Sequence, residues 1–168
     1  ILSGDQPLDY LCVEGSVIHG PDGTGRFDML PRGPRRDFIR ELAHRAQVVL
    51  AVGTCASFGG IGAGSEIMAG GLQFTQWEMG GLLGQDFTAA SGYPVINLPG
   101  CPCHCDVVVG TLSTLASDSV VSLGHYNTPT DWYGVMVHQG CTRNEYHEYR
   151  VEEKRFGERG CLFFYMGC

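Results

Sequence analysis

Charge is scarce in this sequence: charged residues make up 17% of its 168 positions, against roughly 25% in an average soluble chain. Positive charge is scarcer still, with 11 Lys and Arg facing 18 Asp and Glu for a net −7. Nucleic acids and anionic membrane surfaces both need clustered cations to displace counterions, so both are set aside as partners. Long hydrophobic runs are also missing. Gly and Pro interrupt every apolar stretch before it reaches the ~18 residues a membrane span needs, so no transmembrane segment is expected. The location is left open between cytoplasmic and peripherally membrane-associated. Cysteine, at eight residues, falls short of the roughly 8–10% that marks a small disulfide scaffold. Metal or redox chemistry is the better first reading of some of them.

Glycine is the residue in excess, 25 of 168, about twice its usual share. All the cations lie in 26–45 or 143–159, and between 46 and 130 the only charges are Glu66, Glu78, Asp86, Asp106 and Asp118. That middle stretch reads as interior or interface. The length suits one domain, or one domain and a fragment.

Residues 8–18 mix β-branched and apolar residues before a turn at 19–23, which predicts a buried strand with Cys12 as a small core residue. Pro34 opens a helix over 34–46, in which Phe38, Ile39, Leu42, Ala43 and Ala46 share a face and Glu41 stands four before Arg45. The apolar run 48–52 has the pattern of a central parallel strand covered on both faces, and it runs into Gly53-Thr54-Cys55. The arrangement repeats at 93–98, which runs into Pro99-Gly100-Cys101 and then a helix over 106–117. Strand, loop and helix alternate, so the expected class is an α/β doubly wound parallel sheet. Between these elements, the glycine-rich stretch 59–92 reads as a long irregular surface lobe. From His125 onward, aromatics, His, Cys and cations replace regular periodicity, and a second, irregular unit is expected to begin near Tyr126.

In open parallel sheets, ligands gather beyond the carboxyl ends of the strands. Glu14, Cys55 and Cys101 fall there, and two thiols in successive glycine-flanked loops suit one shared metal centre; ordinary buried cysteines are the alternative. Two thiolates do not complete a tetrahedral sulfur site. The second constellation is His138-x2-Cys141, then nineteen residues, then Cys161-x6-Cys168. One imidazole and three thiols form a soft set that suits zinc or an iron-sulfur cluster, and spacing alone does not separate these. A disulfide with a surface His is the competing reading. Cys103 and Cys105 extend Cys101 into CPCHC. His19, His44, His104, His125 and His147 show no partner pattern.

The segments CVEGS (12–16), AVGTCASFGGI (51–61), INLPGCP (96–102), VHQGCTRNEYHEY (137–149) and GCLFFYMGC (160–168) resemble, in order and spacing, the small electron-transferring subunit of nickel-iron hydrogenases. The quinone-reductase subunit of respiratory complex I has loops similar to the first pair of Cys motifs, whereas the His-x2-Cys and Cys-x6-Cys tail is similar to the hydrogenase. The resemblance implies a flavodoxin-like proximal-cluster domain over 1–125, lacking its first strand, and a partial iron-sulfur domain over 126–168. It implies Cys55 and Cys101 as two ligands of a proximal 4Fe-4S cluster, and His138, Cys141, Cys161 and Cys168 as the ligands of a distal 4Fe-4S cluster.

A Cys-x2-Cys pair before Ile1 and the three Cys of a medial cluster after Cys168 complete the family pattern, so the chain is read as an internal fragment. The nickel-iron centre is implied on a large-subunit partner, with electrons from hydrogen oxidation passing to an acceptor protein or quinone. The six residues between Cys161 and Cys168 and the QGCTRNEYHEYR run are similar to the actinobacterial-type and hydrogen-sensing branches. Gly60, where oxygen-tolerant members carry an additional Cys, implies an ordinary proximal cluster. The alternatives are a hydrogen sensor with the same clusters, a complex I-like subunit with a quinone partner, and a structural zinc module.

Overall fold

The computed structural model describes residues 6–168. Three parallel strands carry its sheet: β1 (Leu8–Glu14), β2 (Ala46–Val52) and β3 (Ile96–Leu98), in the spatial order β1-β2-β3. The register pairs Leu8 with Ala46 through Glu14 with Val52, and Leu50 with Ile96 through Val52 with Leu98. Glu14, Val52 and Leu98 therefore end their strands in one row, and the loops that follow leave from the same rim.

β2 is the central strand that its apolar run predicts. Val48, Val49, Leu50 and Ala51 are all buried, as a strand hydrogen-bonded on both edges and covered on both faces requires. β1 departs from expectation. It ends at Glu14, only Val13 is buried along it, and Tyr10 and Cys12 are exposed. Among the described residues it pairs on one side alone, with β2, and Cys12 lies outside the core. Val17–Ile18 then turns to pair antiparallel with Ala69–Gly70.

Helix α1 (Arg35–Ala43) starts after Pro34 and buries Ile39 and Ala43 in the cluster that holds Val13, Ala46 and Val49. The pairing of Arg45 with Glu41 forms at 3.0 Å. The helix is shorter than its periodicity suggests because Ala46 already belongs to β2. α2 (Gly53–Phe58) follows β2 directly, and α3 (Cys105–Ala116) buries Thr111 and Leu115.

The stretch 59–92 is irregular but not a surface lobe: Leu72, Phe74, Leu82, Phe87 and Ala89 are all buried. Glycine allows this packing. A Cβ on Gly71 would collide with the Ser57 carbonyl, and one on Gly81 would lie 2.5 Å from the Gly71 oxygen. Gln73, 1% exposed, fixes the segment in place. Its amide donates to the carbonyls of Gln85 and Phe87 (3.1 and 3.0 Å), and its oxygen accepts from the Val95 N–H and the Asn127 amide (2.9 and 3.2 Å).

The chain divides into a unit ending at Thr130 and a second comprising Asp131–Cys168. The second holds a one-turn helix, Asn144–Glu148, and a bridge between Glu152 and Cys161. Within it Glu153, Gly160 and Cys161 are buried. No helix among the described residues is long and apolar enough to cross a membrane.

Candidate metal centres

The common rim of β2 and β3 brings Cys55 and Cys101 together. Cys55 occupies the first turn of α2, and Cys101 follows β3 after Pro99 and Gly100. The two loops are bonded reciprocally. The Thr54 N–H donates to the Gly100 carbonyl at 3.0 Å, and the Gly100 N–H donates to Thr54 Oγ1 at 3.0 Å. Thr54, Cys55, Gly60, Ile61, Trp77 and Cys101 all line one cavity of about 520 Å³. Gly60 is part of its shape: a Cβ there would lie 2.5 Å from Cys55 Sγ. The space beside the thiol is open because residue 60 has no side chain. Two sulfurs on a roomy cavity, with no side chain at residue 60 to crowd one of them, fit half of the four-thiolate set of a 4Fe-4S cluster.

Glu14 ends its strand on the same rim and is exposed, and it does not line this cavity. Cys103 and Cys105 do not line it either. Cys105 opens α3 and donates to Asp106 Oδ1 at 3.6 Å. His104, to which the sequence assigns no role, caps that helix by accepting the Asp106 N–H through Nδ1 at 3.2 Å.

In the second unit, His138, His147 and Cys161 present donor atoms that all lie within 4.8 Å of one another. The two imidazoles stack at 3.5 Å between centroids and 11° between planes, and His147 Nδ1 is 3.7 Å from Cys161 Sγ. Cys161 is the buried member, and its backbone is bonded both ways: its N–H donates to the Val151 carbonyl (2.8 Å), and its carbonyl accepts the Glu153 N–H (2.9 Å). Glu153 in turn pairs with Arg143, whose guanidinium also donates to the Gly160 carbonyl at 2.8 Å.

Cys141 and Cys168 are exposed and lie outside the trio. Cys141 Sγ accepts the Arg143 backbone N–H at 3.3 Å. His147 is the neighbour that spacing does not reveal. It stands alone in the run NEYHE, and only the fold turns it toward Cys161. The structure brings together His138, His147 and Cys161 and leaves Cys141 and Cys168 apart; by donor chemistry alone, the three thiols and the imidazole of His138, Cys141, Cys161 and Cys168 fit a soft iron-sulfur group.

Two titratable groups are shifted elsewhere in the first unit. Cys12 is exposed overall, yet partial desolvation of its thiol raises it above its ordinary pKa. His19 is lowered, first by burial and then by the charges of Arg36 and Arg40. Arg36 Nη1 stands 3.4 Å from its Nδ1.

The profile of the family described as NADH ubiquinone oxidoreductase, 20 Kd subunit, matches residues 2–115. The chain belongs to that family. Among its relatives, the F420 non-reducing hydrogenase I small subunit of Methanosarcina mazei is 33% identical, over 94% of this chain and 44% of that protein. An actinobacterial-type NiFe-hydrogenase from Ralstonia eutropha H16 superposes with a TM-score of 0.80 at 25% identity, over 96% of this chain and 49% of that one. The [NiFeSe] hydrogenase of Desulfovibrio vulgaris Hildenborough superposes with a TM-score of 0.72 at 30% identity, over 92% and 57%. These bear out the resemblance to nickel-iron hydrogenase small subunits and the α/β class. The chain spans less than half the length of the Methanosarcina relative.

Proposed function

We propose that this chain is the iron-sulfur electron-transfer part of a nickel-iron hydrogenase small subunit. Cys55 and Cys101 contribute to a proximal 4Fe-4S cluster. His138, Cys141, Cys161 and Cys168 hold a distal one, and a medial cluster belongs to sequence beyond Cys168. Hydrogen is oxidised at a nickel-iron centre on a large-subunit partner, and the electrons go to an acceptor protein or quinone. Residues 1–125 form the proximal-cluster domain and 126–168 part of the cluster-binding domain.

The observation that carries this reading is the pair of free thiols that line one cavity from two strand-end loops, the loops themselves hydrogen-bonded through Thr54 and Gly100. When bound, an iron-sulfur cluster supplies reversible one-electron storage. The residues of this chain do the rest. The Thr54 and Gly100 hydrogen bonds hold the two sulfurs' backbones, so little conformational entropy is lost on loading. Ile61 and Trp77, 100% and 70% exposed on the cavity rim, provide the apolar surface that a large subunit would cover, excluding water and lowering the local dielectric.

The family profile stops at residue 115, whereas similarity to the hydrogenase small subunits takes in 94% of the chain and so extends into the unit that holds the His138 set. This favours the hydrogenase over a quinone-reductase subunit, which predicts no nickel-bearing partner. The test is the complete heterodimer with Cys55→Ser. Iron and labile sulfide should fall by one cluster, and hydrogen-dependent dye reduction should drop more than about 100-fold, with nickel retained. Full iron content and unchanged dye reduction would reject the assignment.

A further inference from the structure

We propose that His147 is a positioning residue for the distal centre, giving an N–H···S hydrogen bond to Cys161 and setting the plane of His138. The inference rests on the assignment of Cys161 and His138 to the distal cluster.

The geometry singles out His147 because its ring meets both of those residues. Its Nδ1 lies 3.7 Å from Cys161 Sγ, and its ring lies flat on His138 at 3.5 Å and 11°. A metal-bound thiolate has no proton to give, so the ring nitrogen facing it carries the hydrogen. Such a bond draws charge from the sulfur and favours the more negative, reduced cluster. The stack gives His138 a flat wall on one side, and Phe163 stands edge-on to both rings, at 5.3 Å from His138 and 6.1 Å from His147.

His147 reaches this place through backbone links. Its own N–H donates to the Arg143 carbonyl at 3.3 Å. Val151, whose N–H donates to the Tyr146 carbonyl, accepts the Cys161 N–H. The one-turn helix and the buried sulfur are thus tied into one piece of chain, and the hydrogen bond does not depend on a freely rotating loop.

The test compares His147→Phe with His147→Gln in the intact heterodimer, following the distal signal by potentiometric electron paramagnetic resonance at a single pH. Phe keeps the ring and loses the donor; Gln keeps an N–H donor. The Phe variant should retain iron, sulfide and the distal signal, while its equilibrium constant for reduction falls about tenfold, equivalent to 59 mV for one electron. The Gln variant should recover most of that loss. An unchanged potential in the Phe variant, or equal shifts in both variants, overturns the hydrogen bond. Loss of the distal signal in both variants makes His147 a ligand and overturns the positioning role. If the Phe variant does not assemble, His147→Leu against His147→Gln gives the same comparison. Failure of the underlying assignment shows separately: Cys161→Ala would then keep the distal signal and full iron content.

Discussion

A single methyl group at position 60 would occupy the space that Cys55 needs. Gly60 has φ +61, a left-handed conformation, and a Cβ there would lie 2.5 Å from Cys55 Sγ. Gly60→Ala is expected to cost about 1–2 kcal/mol in backbone strain and to displace the thiol, lowering iron per chain. Thermal unfolding together with iron analysis checks both. His19 makes a prediction about pH. Its folded pKa lies below the unfolded value near 6.5, because burial, Arg36 and Arg40 all oppose protonation. Below pH ~6.5 the unfolded chain therefore binds the extra proton, and stability falls as pH drops toward the lowered folded value. It is fully present above that window. Urea midpoints between pH 7.5 and 5 should decline, and His19→Gln should flatten the decline. Neither effect is legible in the sequence, because Gly60 and His19 acquire their neighbours only through the fold.

The elements were legible in proportion to how far hydrophobic pattern alone determines them. The unbroken run of β2 announces a strand covered on both faces, and the spacing of Ile39 and Ala43 announces α1. β1 carries much the same residue types, yet most of it is exposed, since apolar content does not reveal which strand lies at an edge. The 59–92 segment departs from its expectation for a related reason. Its many glycines suggest a solvated loop, but here they let backbone approach backbone, and its central polar residue, Gln73, is a buried crosslink. Gln73→Leu removes the partners of two carbonyls, one backbone N–H and the Asn127 amide together. It should therefore cost roughly 2–4 kcal/mol, read as a lower urea midpoint with an unchanged slope.

Across the whole molecule, the two units differ in what keeps them folded. The sheet unit has an apolar core of its own, whereas in Asp131–Cys168 the buried residues are Glu153, Gly160 and Cys161. A unit with so little apolar burial depends on whatever its thiols and imidazoles hold. Iron chelation of the loaded complex should abolish amide protection across 131–168 while β2 keeps its slow exchange, as hydrogen–deuterium exchange would resolve. The candidate sites are legible in part: Cys55 and Cys101 stand where strand ends present them and line one cavity, and His138 meets Cys161, whereas Cys141 and Cys168 lie outside that group. What spacing leaves out is the surroundings of these residues: Thr54, Gly60, His147 and the Arg143–Glu153 pair. Of these, the Thr54 and Gly100 hydrogen bonds bear on how such genes recombine. Segments 53–60 and 99–101 form one hydrogen-bonded unit despite being far apart in sequence. A chimaera drawing them from different relatives retains both bonds only if the residue at 54 still offers a hydroxyl to the incoming backbone.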